Sequence, residues 1–523
     1  MKAQMVIWLI ALPLVASPLV YLAGRLRLQI ADCRLQIGRL AIRNVRSAIP
    51  SARLVGLGAL VAAWAPFLLV VRDFAAFGPS AFTLGTLTFR LDGLSLLFAA
   101  LALGLGTLVT LYAGLDTAGA GGEEKYYALL VTLVGMLIGL ACAVDLFNLW
   151  LWFEAIAIVS YLLVAGSRAA PLALEASVKY LVQGAAGSTL ALLGIALILG
   201  HTGTLNLDRI RLAADVSPAL LAAGALLVVG FGVKAALAPL HAWLPDAYTQ
   251  APSGTSALFS GVVTKAGLIA LLRALAALGG VTLSWGALLM GFGALNILVG
   301  NLFALRQTQV KRLLAYSSLS QLGYIMLGLG VGVHTGQSLG VQGGLFHLLT
   351  HGLMSAQAFL AAGGLLYALR GATPTDRRGD ADQDALTITD LAGAAKRYPL
   401  PALALSLAAL GMAGLPPLAG FMSKWQIFVA GFATHNSMIG ALTLFAAVNS
   451  VLSLVYYAPL VNAVYRERTS AAVRAGRPLP IGIRAPLLGL ALLVLVLGVW
   501  PGLAAWLTEP ASTAVLAAFG GIR

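Results

Sequence analysis

Residues 230–248 read GFGVKAALAPLHAWLPDAY. Lys234 stands in the middle of an apolar run, Pro239 breaks the run, and His241 follows the break. An ammonium at the centre of a bilayer costs roughly 2.5–3.5 kcal/mol on insertion scales, and more in simulations. Something must offset that cost, so the stretch raises two questions together: whether the chain crosses a membrane, and what the lysine gains there.

The first question is settled by composition. Of 523 residues, 60% are hydrophobic and only 10% charged, against about a quarter charged in soluble domains. Windows of about 20 apolar residues bounded by charge or turn residues mark membrane spans. They fall near 5–24, 54–71, 93–114, 126–143, 148–166, 174–199, 218–248, 254–279, 283–304, 313–333, 341–368, 399–431, 437–461 and 486–507. An all-α polytopic membrane protein of about 14 transmembrane helices is expected. The first window has the early lysine of a signal peptide, but its apolar run exceeds a usual signal core, and we read it as a retained helix.

The formal charge of +14 fits topology better than nucleic acid. With the N-terminus outside, the loops at 25–53, 115–125, 167–173, 305–312, 369–398 and 464–485 fall inside. They hold about 22 of the 33 Lys and Arg, the positive-inside asymmetry of a cytoplasmic face. A multi-pass protein of a bacterial inner (cell) membrane with both termini outside is the expectation. Cys33 and Cys142 are the only cysteines. They share no spacing that would build an iron–sulfur or zinc site, and neither a phosphate-binding loop nor a dinucleotide fingerprint is present. No cofactor is expected in this chain.

Two soluble segments punctuate the spans. Residues 25–53 are basic, repeat RLQI at 27–30 and 34–37, and place apolar residues every three or four positions. A basic amphipathic surface helix and a tolerated insertion are both compatible with that pattern. Residues 371–397 form a connector, in which Thr389 and Asp390 can cap a short helix. A weak internal symmetry is more informative: the interrupted span 218–248 is echoed by 399–431, where GMAGLPPLAGFMSKWQIF carries Pro416, Pro417 and then Lys424. Two Gly/Pro-interrupted spans, five helices apart and therefore antiparallel, are the sequence mark of inverted repeats. Broken helices free backbone groups and admit water.

Ionisable residues at middle depth collect in five spans. They are Glu154 in the fifth, Lys234 in the seventh, Lys265 in the eighth, His347 and His351 in the eleventh, and Lys424 in the twelfth. The two histidines are four apart and share a helical face. One such residue alone is as readily a structural contact; the set points to a proton or cation route. Burial disfavours a charged ammonium and a nearby carboxylate favours it, so movement of Glu154 relative to Lys234 would decide whether the lysine holds its proton. Lys265, the histidines and Lys424 would pass it on. Lys179, four residues after Glu175, reads first as a surface ion pair, with a possible accessory part in transport. His241 is a second accessory candidate. Asp92, Asp246 and Arg273 read as interfacial or capping residues.

The stretches DLFNLWLWFEAIAIVSYLLV, GVKAALAPLHAWLPDAYTQAPSGTSALFSGVVTKAGLIALLR, QVKRLLAYSSLSQLGYIMLGLG and GLPPLAGFMSKWQIF resemble the antiporter-like membrane subunits of respiratory complex I (NADH-quinone oxidoreductase). They also resemble the large subunits of Mrp-type cation/proton antiporters and membrane-bound hydrogenases. The resemblance spans about residues 90–470. It implies two inverted five-helix repeats, helices 4–8 and 9–13, with helices 7 and 12 discontinuous. The corresponding units are 1–125 with the basic insertion, 126–280, 281–465 and 466–523. It implies that Glu154 and Lys234 form a glutamate–lysine pair, that Lys265, His347 and His351 relay, and that Lys424 closes a hydrophilic axis. Family members work inside multisubunit assemblies, so the implied partners are other membrane subunits, protons or Na+, and lipid. The implied function is proton translocation as a non-redox subunit of a complex I-like oxidoreductase, with a subunit of an Na+/H+ antiporter or membrane-bound hydrogenase as the alternative.

Overall fold

The computed structural model describes residues 4–33, 51–85, 87–112, 122–166, 171–279, 281, 284–370 and 385–520. The core of the basic insertion, 34–50, and the acidic part of the connector, 371–384, lie outside the described residues, and with them the readings made there.

Hydrocarbon offers no hydrogen-bond partners, so an apolar run of this length must satisfy its backbone internally, and it does so as helix. The described chain has twelve helices long and apolar enough to cross a membrane, and two shorter apolar ones. In order, α1 is Gln4–Cys33, α2 Ala52–Phe77, α3 Gly93–Tyr112, α4 Glu123–Ala141, α5 Leu146–Ala165 and α6 Pro171–Thr202. The first interrupted span divides into α7, Pro218–Lys234, and α8, Trp243–Gln250. Then come α9, Ser253–Ala277, α10, Trp285–Ala304, α11, Val310–Thr335, and α12, Ser338–Arg370. The second interrupted span divides into α13, Pro399–Ala413, and α14, Ala419–Phe432. The bent α15, Ser437–Val464, precedes α16, Ile481–Val499, and α17, Ala505–Ala518.

Local sequence sets many of these starts. Ser51, Asp145, Ser217 and Asn436 each accept a hydrogen bond from a backbone N–H of the first turn, which satisfies donors that a helix N-terminus leaves free. Pro218 at the first position of α7 sacrifices no hydrogen bond. The last span begins and ends earlier than the hydropathy window 486–507: α16 stops at Val499, and Pro501 starts a 3-10 turn that leads into α17. One non-helical element is present as well. Strands β1, Ser80–Leu84, and β2, Leu87–Leu91, pair antiparallel, with Phe82 stacked on Phe89 at 5.4 Å.

Burial orders the helices. In its apolar window α9 is 100% buried, α11 94% and α12 89%, whereas α1, α2, α6 and α15 are at or below 33%. The first group forms the centre; the second turns leucines and valines outward, as lipid or neighbouring subunits require. Helices α10 and α11 approach at backbone distance. A Cβ on Gly323 would stand 2.5 Å from the Gly293 carbonyl oxygen, and one on Gly330 2.7 Å from that of Gly286, the close packing that small residues permit between membrane helices.

Candidate functional site

Both interruptions are built alike. At the end of α7 the Leu237 N–H bonds to the Gly232 carbonyl and the Ala236 N–H to that of Val233. At the end of α13 the Leu415 N–H bonds to the Leu410 carbonyl and the Gly414 N–H to that of Gly411. Each is a Schellman ending, which needs a residue in the left-handed region one place past the helix. Ala236 takes it with φ +52° and Gly414 with φ +89°. Each break also holds a cis X–Pro bond, Ala238–Pro239 and Pro416–Pro417.

The backbone groups freed in the first break are claimed by neutral side chains. Asn296 of α10 accepts from the Ala238 N–H at 2.7 Å and donates to the Ala236 carbonyl at 3.0 Å. The Trp243 indole donates to the Val233 carbonyl at 2.8 Å. Lys234, the last residue of α7 and 3% exposed, is thereby left to point elsewhere. Its Nζ donates to the Phe153 carbonyl of α5 at 3.2 Å and lies 5.0 Å from the centre of the Phe153 ring. Glu154, the next residue, is half-buried and within electrostatic range of Lys234. The two charges do not touch: no ion pair within 4.0 Å joins them among the described residues, and Glu154 Oε2 is buried without a partner.

Lys265 follows a π-helical turn, Phe259–Val263, inside α9. Its Nζ donates to the Ser260 carbonyl at the turn, and the Ser260 hydroxyl pairs with Ser318 of α11 at 2.7 Å. Gly267, one turn position on, meets the break at Lys234: a Cβ there would lie 2.5 Å from the Ala235 nitrogen and 2.8 Å from the Lys234 carbonyl carbon. The absence of that Cβ lets α9 pack against the α7 break at backbone distance.

From Lys265 the line continues through α12. Lys265, His347 and Lys424 all act electrostatically on His351. The rings of His347 and His351 are nearly parallel with centres 6.1 Å apart. His351 is buried with neither ring nitrogen partnered, an arrangement that water or a moving proton carrier must satisfy. His347 is fully engaged: Nδ1 faces Ser423 Oγ at 2.8 Å and Nε2 faces Gln321 Oε1 at 3.1 Å. The other end of the Gln321 amide donates to the Met412 carbonyl at 2.9 Å. Lys424 Nζ donates to that same carbonyl at 2.6 Å and to Ser450 Oγ at 3.0 Å, and lies 4.3 Å from the centre of the Tyr324 ring. The structure therefore brings Lys265, His351, His347 and Lys424 into one buried line and sets Glu154 and Lys234 at its other end.

The accessory candidates lie apart. Lys179 is exposed and pairs with Glu175 at 2.8 Å and Asp246 at 3.2 Å; Arg312 reaches Asp246 from α11 at 3.3 Å. His241 is half-buried beside the first break, its Nδ1 unpartnered. On the opposite face Asp92 caps α3 through the Ser95 N–H at 2.8 Å and pairs with the buried Arg273 at 3.0 Å. The sequence reading passed over Asn296, Gln321, Ser423, Ser450 and Lys311. Lys311 is buried and donates to the Thr249 carbonyl at 3.0 Å and to that of Ala251, closing the end of α8. The available signal was the helical spacing of Ser317, Gln321 and Tyr324, an i, i+4, i+7 polar face inside an apolar span.

Comparison with known proteins places the chain in a family. The chain belongs to the family described as NADH:quinone oxidoreductase/Mrp antiporter, TM, which matches residues 143–453. It is 32% identical over 462 residues to the F(420)H(2) dehydrogenase subunit N of Methanosarcina mazei, covering 86% of this chain and 90% of that one. It is 34% identical over 424 residues to the NADH-quinone oxidoreductase subunit N of Desulforudis audaxviator, covering 76% and 78%. Among solved structures, a chain of the membrane-bound sulfane sulfur reductase, an archaeal respiratory membrane complex, superposes with TM-score 0.83 at 30% identity over 99% of this chain and 100% of that one. A chain of respiratory complex I from Thermus thermophilus does so with TM-score 0.72 at 29% identity over 95% and 98%.

Proposed function

We propose that this chain is a proton-translocating membrane subunit of a complex I-like quinone oxidoreductase, in the position of subunit N, driven by redox chemistry on other chains. The observation that carries the reading is the buried line Lys265–His351–His347–Lys424, with Glu154 and Lys234 at its head. Removing four ionisable groups from water is costly in a membrane, and passage of a proton is the return. Residues 126–280 and 281–465 act as two inverted units, a division supported by the matched helix endings at Ala236 and Gly414. The basic loops face the cytoplasm of the cell that carries it, both ends of the chain face the other side, and redox cofactors reside on partner subunits.

The test is made in vesicles holding the assembled complex. Lys234→Ala and Glu154→Ala lower the number of protons moved per electron while the complex still assembles; an unchanged ratio for both refutes the assignment. The alternative, a subunit of an Na+/H+ antiporter, shares the family but finds its support only in the fold. Copurification of iron–sulfur and quinone-site subunits supports the oxidoreductase, and a set of small membrane subunits alone supports the antiporter.

A further inference from the structure

The face opposite the basic loops holds a charged cavity built from none of the residues of the buried line. It is enclosed by the start of α3, the end of α9, the short helix Leu207–Ala213 and the end of α17, and has a volume of about 290 Å³. That is the volume of roughly ten waters at about 30 Å³ each, room for a tetrahedral oxyanion and part of its hydration shell. Three arginines, Arg90, Arg211 and Arg273, line it together with two aspartates, Asp92 and Asp208.

All three arginines are engaged, and none is used up. Arg90 grips the Asp208 carboxylate with both terminal nitrogens, Nη1 to Oδ1 at 3.3 Å and Nη2 to Oδ2. Arg273, 8% exposed, donates from Nη2 to Asp92 Oδ1 at 3.0 Å and to the Ala141 carbonyl at 2.6 Å, and its Nε is buried without a partner. Arg211 donates from Nη1 to the Ala517 and Ala518 carbonyls at 2.6 and 3.0 Å, where α17 ends. A guanidinium carries five N–H donors, and these bonds use two of each. The other donors make no further bond among the described residues, while both carboxylates are already claimed.

Three positive charges against two negative leave the cavity with one positive charge in excess. Arg90 and Arg273 are each matched by an aspartate. Arg211 is the surplus, held at a helix C-terminus whose partial negative charge offsets only part of it. Leu94, Leu272 and Val515 form apolar walls, which lower the local dielectric and strengthen the pull on an anion relative to an open surface.

We propose that this cavity binds one phosphate-type oxyanion, the phosphate of an anionic lipid headgroup or dissolved inorganic phosphate, on the free edges of Arg90, Arg211 and Arg273. Guanidinium forks match phosphate oxygens in pairs. The bound anion neutralises the surplus charge and ties α3, α9 and α17 together. The site lies outside the proton line, so it stands whether or not the chain translocates protons.

The experiment uses the intact complex and reads how fast phenylglyoxal modifies Arg90 and Arg211, located by peptide mass spectrometry. In detergent, inorganic phosphate replacing chloride at fixed ionic strength is expected to slow both saturably, by about tenfold at ten times the half-protecting concentration. In nanodiscs without phosphate, phosphatidylglycerol in place of phosphatidylcholine is expected to protect the same residues if the anion is a lipid headgroup. Protection by either supports the site, and the arm that protects names the source. Arg273→Gln would strand the Asp92 carboxylate, so the charge is removed at Arg211 instead. Arg211→Gln keeps a donor for the Ala517 carbonyl, makes the cavity neutral, and is expected to bring protection of Arg90 to within about twofold of none. Ala514→Glu puts a carboxylate on the cavity wall and is expected to slow Arg90 modification to the phosphate-protected rate with no anion added. If neither phosphate nor phosphatidylglycerol protects Arg90, or if Arg211→Gln is protected as well as the unaltered chain, the assignment is overturned.

Discussion

The two broken spans are the same device fitted with its charge on opposite sides. Aligned on their Schellman endings, Ala236 matches Gly414, Pro239 matches Pro417, Lys234 matches Met412, and Lys424 matches Asp246. In the first unit the lysine precedes the break and the freed backbone is closed by Asn296 and Trp243. In the second the lysine follows the break and itself closes the Met412 carbonyl, helped by Gln321. One ammonium is spared for its neighbour helix; the other is built into the scaffold. Loss of the proton from Lys424 therefore weakens a structural cap, whereas the same event at Lys234 leaves its break intact.

That difference can be broken experimentally, and the largest effect is expected at the lysines. Lys424→Ala should stop translocation and also lower the stability of the complex, by about 0.5–1.5 kcal/mol, since one of the two donors to the Met412 carbonyl is lost and Gln321 remains. Lys424→Gln keeps a donor for that carbonyl without a titratable group, so it should stop translocation and retain most of the stability. Lys234→Ala should resemble Lys424→Gln. Thermal unfolding of the assembled complex is the measurement, and equal destabilisation by the two alanine variants would erase the contrast.

Asn296→Leu acts on stability rather than on translocation. It strands the Ala238 N–H and Ala236 carbonyl, each costing about 1–3 kcal/mol when buried unpaired, and should lower the unfolding temperature more than any change at Trp243. Smaller and opposite in sign are the left-handed positions. Ala236→Gly removes a positive-φ penalty of about 1 kcal/mol and should be neutral or stabilising. Gly414→Ala imposes that penalty and brings a Cβ to 3.3 Å from Ser450 Oγ and 3.4 Å from Lys424 Cδ. A stabilising Gly414→Ala would show that the two endings are not equivalent. Lys179→Ala should change neither stability nor translocation measurably, because exposed ion pairs contribute little; a translocation defect would promote Lys179 into the route.

Much of this was legible because membranes constrain sequences so strongly. The apolar windows located the spans to within a turn or two except at the end of α1 and the end of α16, and an ionisable residue inside one is costly enough to stand out, which is how Lys234, Lys265 and Lys424 declared themselves. What escaped were side chains whose type carries no such alarm. Asn296, Ser450 and Gln321 look like ordinary polar residues in a helix, and only the folded positions of the breaks reveal what they hold. The β1–β2 hairpin escaped because five-residue strands around Gly85 give little signal beside twenty-residue apolar runs. The separation of Glu154 from Lys234 escaped too, since pairing by charge says nothing about which carbonyl lies nearer.

The wide turn at Phe259–Val263 sets the phase of everything after it in α9. A π turn accommodates one extra residue in the helix, and one residue of α-helix is about 100° of rotation. Deleting a single residue there would turn Lys265 off its Ser260 carbonyl, Gly267 off the Lys234 backbone and Arg273 off Asp92 in one stroke. Three contacts along one helix are thus timed by one loop of backbone, as cams share a shaft.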